Sequence, residues 1–394
     1  LRYLTADFVF PISQQPIKNG IVTIDDTGKI LKVNGPHPSI LNLEYFKGIL
    51  CPGFINTHCH LELSHMKDVI PEKTGLAGFI KHFIAARKSF SPEQIKNGIA
   101  AGEKEMLENG IVAVGDICNL ADTFNQKAKK NLKYYSFIEG FDFFPEQFSA
   151  EFARMQIVAE KLKEISPEAK YNFVPHAPYS VSELLFKIIR DIEGTQEKII
   201  SMHNQESAEE NLLFLEKQGE IIEFFTSLEM DFSHWKASGK SSLQTVLGYF
   251  PKENNVLLVH NTFTNEEDMK FAEAYSKNIY WVSCPNANLY IENRLPDYNL
   301  FIEAGAKMTI GTDSLASNYS LSILDELKTI SFRFPELKLE TLLQWATLNG
   351  AKALGFQHEV GSFEVGKKPG VLLIEHISLD NLSLTCESKV KRLI

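Results

Sequence analysis

Short β-prone runs broken by turn signals open the chain: Phe8-Val9-Phe10, then Ile21-Val22-Thr23-Ile24, then Asp25-Asp26-Thr27-Gly28 leading into Lys29 to Val33. This pattern between Ala6 and Val33 predicts an antiparallel meander. The same flavour returns only near the other end, in Gly361 to Gly366 and Val371 to Ile374. Between the ends, apolar runs alternate with amphipathic stretches of helical period, which predicts parallel strands joined by crossover helices. Eight such runs are found, at 53–60, 111–116, 134–139, 172–176, 199–203, 256–260, 279–283 and 307–313. One intervening stretch, Ser91 to Asn109, carries its own punctuation: a serine cap, Pro92 at the first helical position, and a stop at Asn109-Gly110.

Eight βα units over roughly 300 residues suit an α/β fold of the (β/α)8 TIM-barrel type, with a doubly wound open sheet as the competing architecture. The expected organisation is a barrel over 50–355 and a small composite β-sandwich built from 1–49 plus 356–394. What favours the barrel is the placement of polar residues. The run ends carry His58, His60, Asp116, Glu139, His176, His203, His260 and Asp313, and five of the eleven histidines close apolar runs. Barrel enzymes collect their chemistry at those strand ends.

Length and charge narrow the partners. With 394 residues the chain can build a sizeable core. Its net charge of −10 argues against binding to phosphate backbones or anionic membranes. Neither a nucleic-acid nor a membrane partner is expected. Five cysteines without CxxC spacing fit reduced thiols in a cytoplasmic setting. The opening residues meet Asp7 and Pro11 early and lack the apolar core of a signal peptide.

The strand 52–60 reads Pro-Gly-Phe-Ile-Asn-Thr-His-Cys-His, and its period of two sends His58 and His60 to one side, where two imidazoles can share a cation. Further on, Met202-His203-Asn204-Gln205-Glu206 places a histidine at a strand end with an acid three residues later. Val259-His260-Asn261 adds another histidine and Gly311-Thr312-Asp313-Ser314 an aspartate. Other catalytic patterns are missing: there is no HExxH, P-loop or GxSxG, and Cys284-Pro285 runs in the wrong order for a zinc cytidine deaminase.

Taken together, PGFINTHCH at 52–60, HAPYS at 176–180, HNQE at 203–206, LVHN at 258–261, CPNAN at 284–288 and GTDSLASN at 311–318 resemble the amidohydrolase superfamily. The resemblance is to its aminohydrolase branch of deaminases and chlorohydrolases, and it runs nearly end to end. The closing GSFEVGKKPGVLLIE is similar to that family's return strand, with Gly370 where an acidic residue is usual. The resemblance implies that His58, His60, His203 and Asp313 ligate one divalent ion, zinc first, with iron or manganese as alternatives. The fourth strand ends in Pro175-His176 rather than a lysine, which points to a mononuclear site. It further implies a small heterocyclic substrate, a homodimer, and attack of metal-activated water on an electron-poor ring carbon. In that scheme Asp313 accepts a proton, His260 orients the nucleophile and steadies the oxyanion, and Glu206 protonates the ring nitrogen and then the departing amine.

For the substrate, HLELS at 60–64 is similar to the variant in aminodeoxyfutalosine deaminases, which act on an adenine nucleoside. Glu62 and His176 are therefore expected to contact substrate. Lys81, Arg87 and Lys88 lie on the following helix, and Arg87 is taken as the candidate for a substrate carboxylate. Phe141, Phe143 and Phe144 are read as aromatic core before heterocycle stacking, and Arg294 is left without a direction. The alternatives are a hydrolase of the same chemistry with a chloride or alkylamine leaving group, and a non-catalytic binding relative.

Overall fold

A computed structural model describes residues 1–37, 42–194, 198–233 and 235–394. The amino-terminal strands are β1 (Arg2–Val9), β2 (Ile17–Lys18), β3 (Ile21–Ile24), β4 (Ile30–Asn34) and β5 (Leu43–Cys51). Then come the apolar runs, now strands: β6 (Phe54–Cys59), β7 (Ile111–Cys118), β8 (Lys133–Gly140), β9 (Lys170–Pro175), β10 (Ile199–Asn204), β11 (Asn255–His260), β12 (Ile279–Ser283) and β13 (Met308–Ile310). The chain closes with β14 (Leu372–Glu375) and β15 (Lys389–Arg392).

Both ends of the chain share one seven-stranded sheet of order β15-β14-β5-β1-β3-β4, with β2 on β1. The predicted meander is present in β1, β3 and β4, which pair antiparallel. β5 was not legible in the sequence. It runs parallel to β1 and antiparallel to β14, and its first half alternates partly covered and exposed residues, which blurs the apolar signal. Gly361 to Gly366 is not a strand. It is a turn segment whose Phe363 is buried with Leu4, Val22, Ile30, Leu50 and Leu373, and whose amides at Phe363 and Gly366 donate to Pro11 and Ile30 carbonyls. Gly53 leads from this sheet into β6. A Cβ there would stand 2.3 Å from Val112 and 2.6 Å from the Pro369 carbonyl, so only glycine fits the junction.

The eight inner strands form two four-stranded parallel sheets, β6-β7-β8-β9 and β10-β11-β12-β13. β6, β7 and β10 are buried at every position, which is why they open on apolar residues without the alternation of a half-exposed strand. Backbone contacts join the two sheets at both seams. The His203 amide donates to the His176 carbonyl at 2.9 Å, and the Thr312 and Asp313 amides both donate to the His58 carbonyl at 3.1 Å. A parallel bridge pairs Cys59 with Asp313. His58, His176, His203 and Asp313, four of the residues expected to carry chemistry, thus sit at the junctions themselves.

Between β6 and β7 lie a 3-10 segment, Leu61–Met66, and two helices, α1 (Gly75–Ala86) and α2 (Pro92–Glu108). α2 starts as its sequence predicts: Ser91 caps the Gln94 amide at 3.2 Å, and the Gln94 side chain accepts from the Ser91 amide at 2.8 Å. It packs closely on the 3-10 segment, since a Cβ at Gly102 would lie 2.4 Å from Ser64 Oγ. Four cysteines are buried and Cys386 is exposed, all five as free thiols. Among the described residues no helix is long and apolar enough to cross a membrane.

Candidate active site

At the carboxyl end of β6, His58 and His60 project to the same side, with ring centroids 4.9 Å apart. β10 brings His203, whose Nε2 lies 3.3 Å from His60 Nε2. The turn after β13 brings Asp313, whose Oδ1 is 3.5 Å from His58 Nε2 and 3.4 Å from His60 Nε2. One ligand atom from each of these four buried residues falls within 4.8 Å of the others. Both nitrogens of His58 and the Nδ1 of His60 have no hydrogen-bond partner although they are buried. A buried polar group without a partner is costly, and a cation among these donors would take up the lone pair of His58 Nε2, which faces them. The donor set therefore fits a divalent ion of the zinc class.

Charge states agree with ligation. Burial, reinforced by the neighbouring imidazoles, lowers His60 to about 3 and His203 well below its ordinary value, leaving neutral rings with lone pairs. For Asp313, burial pushes upward, but the facing rings of His58, His60 and His260 outweigh it and hold the carboxyl below the usual range. Its Oδ2 accepts from Ser317 Oγ.

Beside this group stand His260, ending β11, and Glu206, just after β10. His260 Nε2 is 3.6 Å from Glu206 Oε1. The His260 Nδ1 faces Asn288 Oδ1 at 2.8 Å, and Asn288 Nδ2 faces the His260 carbonyl. That fixes the proton on Nδ1 and leaves Nε2 as an acceptor. Burial lowers His260 to about 4, so the ring is neutral at ordinary pH. Burial, with the charges of Asp313, Glu292 and Glu210, raises Glu206 well above a normal carboxyl. Glu210 holds the turn, accepting from the Gln205 amide at 3.0 Å and the Glu206 amide at 3.2 Å. Gln205, His260, Asn261 and Asp313 all have positive φ, between 46° and 76°, without being glycine. Such backbone costs of order 1 kcal/mol or more per residue and gathers at functional sites.

The expected substrate contacts are distributed unevenly. His176 is half-buried at the end of β9, its Nδ1 paired with Ser180 Oγ at 2.7 Å and its ring 4.8 Å from His203. Glu62 is buried, and its carboxylate accepts from the Asn119 and Leu120 amides at 3.1–3.2 Å, so much of its hydrogen-bonding capacity is committed to the loop after β7. Arg87 is exposed past the end of α1, its guanidinium 5.7 Å from the Phe83 ring, and no contact joins it to the histidine cluster. Arg294 is likewise exposed and lies 4.5 Å from the Phe263 ring. Phe143 and Phe144 pack against Phe225 and Phe232 as core, whereas Phe141 lies edge-on to His176 at 6.0 Å.

Several participants have partners that the sequence did not announce. Asn288 and Ser317 lie within motif stretches; Asn288 pairs with His260, 28 residues away, whereas Ser317 turns back on Asp313 within its own motif. Asp116 and Lys127 form a buried ion pair at 2.5 Å, and Asp116 Oδ1 accepts from the Leu61 amide at 2.9 Å, directly beside His60. Glu139 ends a strand, as expected, yet nothing in its sequence surroundings announces its 3.5 Å approach to His203 Nδ1.

Comparison with known proteins gives the same picture. The chain is 29% identical over 358 residues to an adenosine deaminase of Helicobacter pylori, covering 88% of this chain and 83% of that one. Its fold is similar to the crystal structure of Helicobacter pylori aminofutalosine deaminase in complex with methylthio-coformycin, with a TM-score of 0.80, 24% identity and full coverage of both chains. It is also similar to an adenosine deaminase from Xanthomonas campestris with bound zinc, with a TM-score of 0.72 and 22% identity over 95% of this chain and 84% of that one. The pattern of the amidohydrolase family matches residues 49–390, spanning all eight inner strands and every residue of the metal-binding group, and the chain belongs to that family.

Proposed function

We propose that this protein is a metal-dependent hydrolytic deaminase of amino-substituted N-heterocycles, with an adenine nucleoside of the aminodeoxyfutalosine or adenosine kind as substrate. The observation that carries the reading is the buried group of His58, His60, His203 and Asp313 with a neutral His260 and a raised Glu206 on one side of it. A divalent ion held by those four residues supplies Lewis acidity that brings the pKa of water toward neutrality.

The protein's own groups divide the proton traffic. Asp313, ionised, accepts the proton of the attacking water. Neutral His260, with its Nδ1 proton given to Asn288, accepts through Nε2 and orients that water. Steadying an oxyanion by donation would need the imidazolium form, which burial disfavours, so orientation is the role the geometry supports. Glu206, protonated because it is buried among other acids, donates to the ring nitrogen as the carbon is attacked. The proton that Asp313 took from water then passes to the amine, which leaves as ammonia, while the hydroxyl proton returns to Glu206 as the ring carbonyl forms. His176, beside His203, and Phe141, edge-on to His176, serve to hold the heterocycle. Glu62 approaches substrate only with the acceptor capacity its two amide partners leave.

The same reading takes the two parallel sheets as halves of one (β/α)8 barrel over 50–355, and the terminal sheet as a composite β-sandwich of 1–49 and 356–394. The backbone bonds at both seams support the barrel, and the sheet shared by both ends of the chain supports a unit built from both termini.

The test is ammonia release by zinc-loaded protein from adenosine, 5′-methylthioadenosine and 6-amino-6-deoxyfutalosine, with guanine, cytosine and a chlorinated triazine as contrasts. Release from an adenine nucleoside is the expected result. Silence across the panel with verified metal occupancy would move the assignment to a hydrolase with a different leaving group.

A further inference from the structure

Glu139 is the buried acid that the scheme above leaves unused. Its side chain is almost wholly covered, and the two carboxylate oxygens have different fates. Oε2 accepts from Asn119 Nδ2 at 3.1 Å, whereas Oε1 has no hydrogen-bond partner and lies 3.5 Å from His203 Nδ1. The same Nδ1 faces the His176 carbonyl at 2.8 Å. A ring nitrogen facing a carbonyl and a carboxylate, both acceptors, carries the proton, which leaves the lone pair on Nε2. Nε2 is the atom that lies 3.3 Å from His60 Nε2 within the four-donor group. Asn119 is itself held on three sides: its amide donates to Glu62, its carbonyl accepts from Arg154, and its side chain reaches Glu139.

We propose that Glu139 is a positioning residue for His203, fixing the Nδ1–H form of the ring and presenting Nε2 to the divalent ion, at the end of a chain of contacts running Glu62, Asn119, Glu139, His203. The inference rests on the reading of the four-donor group as a metal site. Glu139 does not act on substrate, because its open oxygen is sealed from solvent behind His203. It also does not hold a second ion. Although Glu139, His176 and His203 offer donor atoms within 4.8 Å of one another, His203 would have to give up the proton on Nδ1 while its Nε2 serves the first group. A carboxylate behind a metal-bound imidazole raises the basicity of the ligand and locks its orientation.

The experiment compares metal-free wild type, Glu139→Gln, Asn119→Ala and the double variant. Each is titrated with zinc against a chromophoric chelator, with zinc per chain counted by atomic emission and the metal-free thermal midpoint recorded. Glu139→Gln is expected to bind zinc about 10–100-fold more weakly. Its metal-free midpoint should be unchanged or higher, because the oxygen nearest His203 makes no hydrogen bond in the metal-free protein. A purely structural role would lower that midpoint. Asn119→Ala should weaken zinc binding by a smaller factor, and the double variant should match Glu139→Gln alone. The visible bands of the cobalt-substituted protein should shift in Glu139→Gln. Zinc affinity within about twofold of wild type in Glu139→Gln, or in Asn119→Ala if the first variant does not fold, overturns the proposal. Two zinc ions per wild-type chain also overturn it. Wild-type protein that binds no zinc would instead bring down the metal reading itself.

Discussion

Replacing Lys127 by methionine keeps the side-chain length and deletes one charge from beneath the metal group. The ammonium contacts Asp116 at 2.5 Å, Ser136 Oγ at 2.9 Å and Cys118 Sγ at 3.0 Å, with side-chain exposures of 5% for Lys127 and 0% for Asp116. Burial works against the charged ammonium, but Asp116 outweighs it and holds the lysine above its ordinary pKa. Without Lys127 the Asp116 carboxylate is left buried with the Leu61 amide and the weak Cys118 thiol as its donors. Breaking one side of a buried pair costs about 3–5 kcal/mol, most of it the unpaired charge. The companion variant Asp116→Asn/Lys127→Met removes both charges and keeps an oxygen for Leu61, so it should recover all but about 1–2 kcal/mol. Equilibrium urea unfolding of metal-free protein measures both, since metal affinity then does not enter the stability. Zinc titration supplies a second reading, because Leu61 follows His60 directly and a loosened Leu61 amide loosens the ligand. A loss under about 1 kcal/mol for Lys127→Met, or a double variant no more stable than the single, would refute the argument.

His260→Asn and Glu206→Gln should each lower kcat by about 10²–10⁴ with zinc content retained, and loss of metal in both variants would overturn the roles given to them. Chelation should abolish activity and lower the thermal midpoint, and zinc at about a thousand times its Kd should restore about 4 kcal/mol of stability, measured by thermal unfolding across a zinc series. Burial raises the Glu326 carboxyl to about 8 despite the donors Asn286 and Asn318, so the folded state binds its proton more tightly than the unfolded chain does. Its contribution to stability is full below the ordinary carboxyl pKa and is lost as pH rises toward 8. Glu326→Gln should therefore flatten the fall in stability between about pH 5 and 8 by up to about 1.4 kcal/mol per pH unit, followed by urea midpoints at several pH values. Gly102→Ala should destabilise by about 1–3 kcal/mol, because its Cβ would meet Ser64 Oγ at 2.4 Å and Ser64 Cβ at 3.0 Å; a stabilised variant in urea unfolding would contradict that packing.

The sequence by itself determined the strands and the residues at their ends. Strands covered on both faces have no solvent-facing polar side, so each reads as a largely apolar run, and the titratable residue at its end stands out as His58, His203, His260 or Asp313. The start of α2 was equally legible, because a capping box is a contact between residues three apart. Only the tertiary structure decided the rest. It joined β5 and β14 across more than 300 residues, turned Gly361 to Gly366 into a buried loop, and left Arg87 on the surface. It also chose the partners that set each functional group: Asn288 for His260, Lys127 for Asp116, Asn119 for both Glu62 and Glu139. The physical reason is range. Periodicity and caps are written by neighbours within a turn or a strand, whereas tautomer, charge state and free hydrogen-bonding capacity depend on which distant strand end arrives within 3.5 Å.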